Sequence, residues 1–253
     1  MKILPRALRA KLERFRVHYR EGGSRRILKM LAYYGSTTGF GAWLADMRIL
    51  CLSGAAALQP LEPLAGYTFR FAGEAVLPAI LACVSTVERA YFDRLFHNFL
   101  RDGRRCVIAL FEARVVGYLW AFTGEYVITL DDYRRRNVTV RLPANAAFIG
   151  NAFIASPHRS RGLYQRLTQY FMKQDPTFTN FYVLVSDLNT SSLAASHKLG
   201  FRELMTLRFV GLFSHTQLYI RETDVRRWRR FPAPWPSLKL DGMQWQSVST
   251  TQP

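Results

Sequence analysis

The stretch Phe153-Ile154-Ala155-Ser156-Pro157-His158-Arg159-Ser160-Arg161-Gly162-Leu163-Tyr164-Gln165-Arg166-Leu167 decides how this chain folds. Apolar residues lead into it as the end of a strand, residues 156–162 form a tight basic turn, and Leu163 opens a run with helical spacing. The first N–H groups of a helix have no intrahelical acceptor, and the aligned peptide dipoles add positive potential there, so such a start holds anions. A glycine at that point lets a phosphate approach the backbone, and Arg159 and Arg161 add charge. Read alone, the segment also fits an ordinary strand-to-helix turn with solvated arginines.

Downstream, Asn189-Thr190-Ser191-Ser192-Leu193-Ala194-Ala195-Ser196-His197-Lys198-Leu199-Gly200-Phe201 reads as a helix stopped at both ends. Asn189 is the N-cap, Leu193 and Leu199 give the apolar face, and Gly200 takes the left-handed position with Phe201 as its hydrophobic follower. Working outward, alternation predicts strands at 67–72, 107–111, 115–122, 146–154, 181–185 and 204–213, with a hairpin turning at Glu112-Ala113-Arg114. Helical spacing predicts helices at 88–100, 163–172 and 190–199, the first carrying Phe92, Leu95, Phe96 and Phe99. The strands at 146–154 and 181–185 are joined through a helix, so those two can run parallel in a mixed sheet.

The two stretches, in this order and with a strand between them, resemble the GNAT acyltransferase superfamily. Its first motif reads Arg/Gln-x-x-Gly-x-Gly/Ala, which Arg159-Ser160-Arg161-Gly162-Leu163-Tyr164 matches except at the last place. The second commonly reads Asn-x-x-Ala-x-x-Leu-Tyr-x-Lys-Leu-Gly-Phe, and Asn189, Lys198, Leu199, Gly200 and Phe201 fall in register with it. The resemblance covers residues 66–215 and implies an α+β, GNAT-like mixed sheet, mostly antiparallel and flanked by helices. It implies an acyl-CoA co-substrate, acetyl-CoA by default or a longer acyl-CoA, lying between the strands at 146–154 and 181–185. Backbone groups of Phe153, Ile154 and Ala155 would follow the pantetheine arm. Arg159 and the N–H groups of Ser160, Arg161, Gly162, Leu163 and Tyr164 would hold the pyrophosphate, and Asn189 belongs to the same set.

The reaction so implied is direct transfer to an amine acceptor, in which a base takes the amine proton and a Tyr often protonates the departing thiolate. That Tyr aligns with Ser196, a much poorer donor, which makes Ser196 and the adjacent His197 the candidate catalytic residues. Tyr164 replaces a small residue and narrows the turn. Asp187 and Asn151 are the nearest carboxylate and amide, with a turn-stabilising Asp and a buried hydrogen bond as their structural readings. Proximity alone carries much of such a reaction, so a dedicated base is not required. Acceptor-binding residues in this fold usually come from the connections here at 85–100 and 123–145.

Composition bounds the rest. The chain has 253 residues, 49% apolar, and carries a formal charge of +17 with a pI near 10.4, so anionic partners are expected. Cys51, Cys83 and Cys106 form no zinc or redox pair, which points to a reduced, cytoplasmic setting. The apolar stretch 39–58 holds Asp46 and Arg48 in its middle and does not read as a membrane span. Phosphate-loop and serine-hydrolase motifs are missing, and the histidines do not cluster, so metal and hydrolase classes fall away.

Residues 1–65 are expected as a basic helical arm. Leu4, Leu8, Leu12, Phe15 and Tyr19 make one stripe, with Arg6, Arg9, Arg16 and Arg20 on the other faces. Such an arm either docks on its own domain or places residues 1–35 on the anionic inner face of a membrane as a peripheral protein. Residues 216–253 read as a Trp-, Pro- and Arg-rich tail without regular structure. The basic, aromatic run 226–231 also supports a nucleic-acid-binding alternative, and a non-catalytic membrane-associated relative is the third reading.

Overall fold

Residues 42–54, 61–84, 86, 89–131, 136–212, 215–231, 235, 237–242 and 244–248 are described by a computed structural model. The amphipathic stripe at 4–19 lies outside the described residues. The strands are β1 (Ala42–Ser53), β2 (Tyr67–Ala72), β3 (Arg105–Phe111), β4 (Arg114–Phe122), β5 (Glu125–Asp131), β6 (Arg136–Arg141), β7 (Ala146–Ile154), β8 (Asn180–Ser186), β9 (Arg202–Leu212), β10 (His215–Glu222), β11 (Arg229–Phe231), β12 (Ser237–Asp241) and β13 (Gln244–Val248). The helices are α1 (Leu77–Ala82), α2 (Arg89–Arg101), α3 (Leu163–Gln174) and α4 (Thr190–Lys198).

A nine-stranded sheet runs β11-β10-β9-β1-β8-β7-β4-β3-β2, and its neighbours pair antiparallel except for β7 and β8. The expected hairpin is present. Glu112 and Ala113, with φ of 48° and 64°, make the tight reversal that matches the twist of β3 and β4. One face of the sheet is covered by α3 and α4 through Leu163, Leu167, Phe171 and Leu193, with Phe201 following α4 into the same layer. On the other, α1 and α2 pack Leu77, Ile80 and Phe96 against Trp120, and a four-stranded sheet of order β13-β12-β6-β5 adds Ile128, Val138, Val140, Leu238 and Leu240. Alternation along each strand supplies one apolar row to each layer, which is why both faces of the central strands are buried.

Two expected boundaries move. Residues 42–53, assigned by sequence to the helical arm, form β1, which lies in the interior of the large sheet between β8 and β9. A strand covered on both faces reads as a continuous apolar run, which is how its helical assignment arose. Its central charges are compensated by partners far along the chain: Asp46 accepts two 2.8 Å bonds from Arg208, and Arg48 pairs with Glu203 at 2.8 Å and Asp187 at 3.2 Å. Residues 216–253, expected as an irregular tail, supply most of β10 together with β11, β12 and β13. Trp235 buries its ring on Phe209, and Tyr182 donates a 2.9 Å hydrogen bond to the Gly242 carbonyl, fastening the β12–β13 turn to β8.

Candidate active site

The site begins where one strand pair comes apart. β7 and β8 are in register only from Ala146–Asn180 to Ile149–Val183. Beyond that, β7 stays with β4 as far as Ile154–Gly117, while β8 stays with β1 as far as Ser186–Met47. The split coincides with a bulge: Tyr118 opposes Phe153 and Trp120 opposes Gly150, so Asn151 and Ala152 share one place on the partner strand. Asn151 has φ 47°, a rare conformation for a residue with a side chain. An extra residue bends and twists its strand. Asn151 therefore acts first through its backbone, by turning β7 away from β8.

The diverging strands leave main-chain groups without partners along the opening. Ala155 donates its N–H to Val116 at 2.9 Å and so faces β4. By the alternation of an antiparallel ladder Phe153 also faces β4, and Ile154 alone of the three predicted pantetheine residues turns its main chain toward β8. The Ile154 carbonyl already accepts from Arg159 Nε at 2.9 Å, which leaves its N–H as the group available for sheet extension. On the other face, Tyr126 of β5 stacks on Phe148 with centroids 4.0 Å apart, and a Cβ at Gly150 would come within 3.1 Å of its hydroxyl. Burial pushes that phenol up to about 12.

At the end of β7 the chain passes through a short helical turn over Ser156–His158 and reaches Ser160 and Gly162, both left-handed at φ 61° and 70°. Gly162 is the N-cap of α3 and no side chain caps the helix. The first main-chain bond of the turn is Arg166 N–H to the Gly162 carbonyl at 3.2 Å. Among the described residues the N–H groups of Leu163, Tyr164 and Gln165 are thus left for a ligand. A Cβ on Gly162 would lie 2.7 Å from Arg166 Nη1. Arg166 itself bonds the carbonyls of Arg161 at 3.2 Å and Glu62 at 2.9 Å, bringing its guanidinium over the turn. Sequence reading passed over Arg166, although an arginine four residues after the turn glycine is the signal for it. It also passed over His158, whose Nδ1 lies 2.7 Å from Tyr67 Oη and ties the turn to β2.

The remaining candidates separate. Ser196 is fully buried on the inner face of α4 and its Oγ reaches no partner. His197 faces outward, with Nδ1 3.1 Å from the Phe201 carbonyl, and is not aimed into the opening. Asn189 caps α4, accepting from Ser192 N–H at 3.2 Å and Ser191 Oγ at 3.0 Å, so its side chain is committed to the helix. Asp187 pairs with Arg48. Among the described residues no group of His, Cys, Asp and Glu is placed to hold a metal ion, and no helix is long and apolar enough to cross a membrane.

An acyl-CoA fits these features in two respects, the free N–H groups and cradled glycine for its phosphates and the unpaired β7 margin for an amide-bearing arm. No family model and no curated protein matches the sequence. Solved structures do resemble the fold. A conserved protein of unknown function from Staphylococcus epidermidis superposes with a TM-score of 0.51 at 9% identity, covering 70% of this chain and 64% of that one. A GNAT-family acetyltransferase from Colwellia psychrerythraea gives 0.48 at 14%, covering 68% and 56%. A tandem GNAT protein from the clavulanic acid pathway gives 0.48 at 15%, covering 73% and 59%. The chain thus spans about three fifths of the length of these structures. The one parallel pair of the large sheet, splaying at a bulge and followed by a glycine-opened helix with the first motif and a second helix with the other, gives this chain a GNAT-like α+β fold.

Proposed function

We propose that this chain transfers an acyl group from an acyl-CoA to an amine acceptor, with acetyl as the default group. The observation that carries the reading is the junction of the splayed β7–β8 pair with the uncapped start of α3. Bound there, acyl-CoA supplies a thioester carbon open to attack by the amine. The chain's part is to hold phosphates on the N–H groups of Leu163, Tyr164 and Gln165, with charge from Arg159, Arg161 and Arg166. The Ile154 N–H fixes the arm in the opening, and the bulge at Asn151 keeps the strands apart. Acceptors would enter from the side of Tyr126 and the β5–β6 hairpin. Fixing two reactants in place removes most of the entropic cost of a bimolecular step.

Thermal unfolding with acetyl-CoA and longer acyl-CoAs tests this reading. A ligand at 100 times its Kd adds about 2.7 kcal/mol, which raises the midpoint by several degrees. No stabilisation by any member of the series overturns it. The cytoplasmic setting and the inner membrane face remain proposals resting on cysteine usage and on the stripe at 4–19. The nucleic-acid alternative draws on one feature, Trp228 held between the guanidiniums of Arg208 at 4.2 Å and Arg221 at 4.9 Å beside Arg226, Arg227, Arg229 and Arg230. It predicts nucleic-acid affinity that falls steeply with salt.

A further inference from the structure

The opening between β7 and β8 ends at a tyrosine contributed by the other sheet. Tyr126 of β5 lays its ring on Phe148 with centroids 4.0 Å apart and planes 7° from parallel, and it meets Phe122 edge to face at 4.9 Å. Phe148 and Phe122 are both buried, so the ring is pinned from two sides. Its outer end lies over Gly150. From the position a Cβ would take there, Oη is 3.1 Å away, Cε2 3.3 Å and Cζ 3.4 Å. The phenol therefore stands where a side chain at 150 would be, at the apex where pairing of β7 with β8 stops after Ile149–Val183.

An arm fixed by the Ile154 N–H, running back along β7 from the phosphate turn, brings its sulfur end to this apex. In the plane of the sheet it meets the last paired residues. One face is closed by Ile149 and Val183, buried under Leu163 and Leu193 of the two helices. An acyl group has to turn to the other face, where Gly150 carries no side chain, and there it meets Tyr126. Phe153, stacked on Tyr118 at 5.8 Å, and Leu184 stand on the same face. None of these side chains carries a charge, so what they admit is hydrocarbon.

We propose that Tyr126 is the end wall of the acyl pocket and restricts the donor to short, uncharged acyl groups, acetyl or propionyl. The assignment rests on the acyl-CoA reading above and names the donor class within it. Swinging the ring aside would break its stack on Phe148 and leave a void in a packed layer, so the wall does not yield as a long flexible side chain would. Further methylenes then meet the resistance of an overpacked site. Tyr126 is a specificity residue: it touches the end of the acyl group remote from the thioester.

Calorimetric titration of the full chain with coenzyme A and its acetyl, propionyl, butyryl and hexanoyl thioesters tests the wall without an acceptor. The native protein should bind the hexanoyl thioester at least tenfold more weakly than the acetyl one, equal to about 1.4 kcal/mol. In Tyr126→Ala the order should reverse, since each methylene entering the vacated space adds about fourfold in affinity. The ratio of the two Kd values is the readout, and a merely structural role for the ring would not move it. A native protein that binds hexanoyl as tightly as acetyl, or an alanine variant that keeps the native order, overturns the wall and leaves the acyl-CoA reading standing. Failure of the native protein to bind any member of the series, coenzyme A included, overturns both. If Tyr126→Ala does not fold, Tyr126→Leu carries the same expectation, because leucine fills the space on Phe148 and ends short of Gly150.

Discussion

Gly162 is a position where one added carbon does disproportionate harm. Its φ of 70° is costly for residues with a Cβ, and that Cβ would press on Arg166 Nη1 at 2.7 Å and Gln165 Oε1 at 3.0 Å. Both contacts are ends of flexible side chains and can move, so the fold survives at a cost of about 1–2 kcal/mol, while the β-branched group occupies the approach to the free N–H groups. Gly162→Val should therefore fold with a slightly lower denaturation midpoint and show no coenzyme A binding by calorimetry. Unchanged affinity in the folded variant refutes the anion site. Ser196 answers to packing in a similar way. With no exposure and the Tyr164 phenol beside it, Ser196→Tyr should overpack the helix interface and cost about 1–3 kcal/mol. Adding Tyr164→Ala should recover most of that loss, and chemical denaturation of both singles and the double gives the coupling. Additive losses would show that the two positions are independent.

Among elements, β1 depends most on distant partners. Asp46 receives both Nε and Nη2 of Arg208, and its side chain is only 8% exposed. Removing the carboxylate strands a guanidinium within the sheet layer, so Asp46→Ala should destabilise by about 3 kcal/mol in urea, against less than 1 kcal/mol for an exposed pair. A loss within the exposed range means solvent already screens the pair. The same strand shows which elements local sequence can reveal. β2, β7, α3 and α4 carry their signals locally, in alternation, caps and the turn glycine, and fall where these predict. β1 does not, because Asp46 and Arg48 read as breaks until Arg208, Asp187 and Glu203 are brought beside them. β12 was hidden by the prolines before it, and its pairing with β6 joins Leu238 to Val140 across a long stretch of chain. In the site, the anion-binding turn was legible because it is one continuous segment. The placement of Ile154 rather than Ala155 toward the opening, and of Tyr164 beside Ser196, depends on the β4 ladder and on the packing of two helices, and no spacing encodes either.

For the whole molecule, the charge of +17 and the stripe at residues 4–19 bear on location. On an anionic membrane each basic side chain near the surface adds about 1 kcal/mol, and the leucines of the stripe would bury in the headgroup boundary. Full-length protein should sediment with phosphatidylserine vesicles, less so at high salt, and a chain lacking residues 1–38 should remain in solution. Equal behaviour of the two refutes the membrane role of the segment. The cut has to fall before Ala42, since removing residues 1–65 also removes β1 and opens β8 and β9 to each other. That insertion also sets an order of events during synthesis. Asp46 leaves the ribosome 162 residues ahead of Arg208, which at cellular elongation rates is a wait of roughly ten to thirty seconds. For most of it the nascent chain carries an apolar segment with neither neighbour yet made, and β9 follows β8 by about twenty residues, so this part of the sheet closes late in translation and until then β1 is a target for holding chaperones.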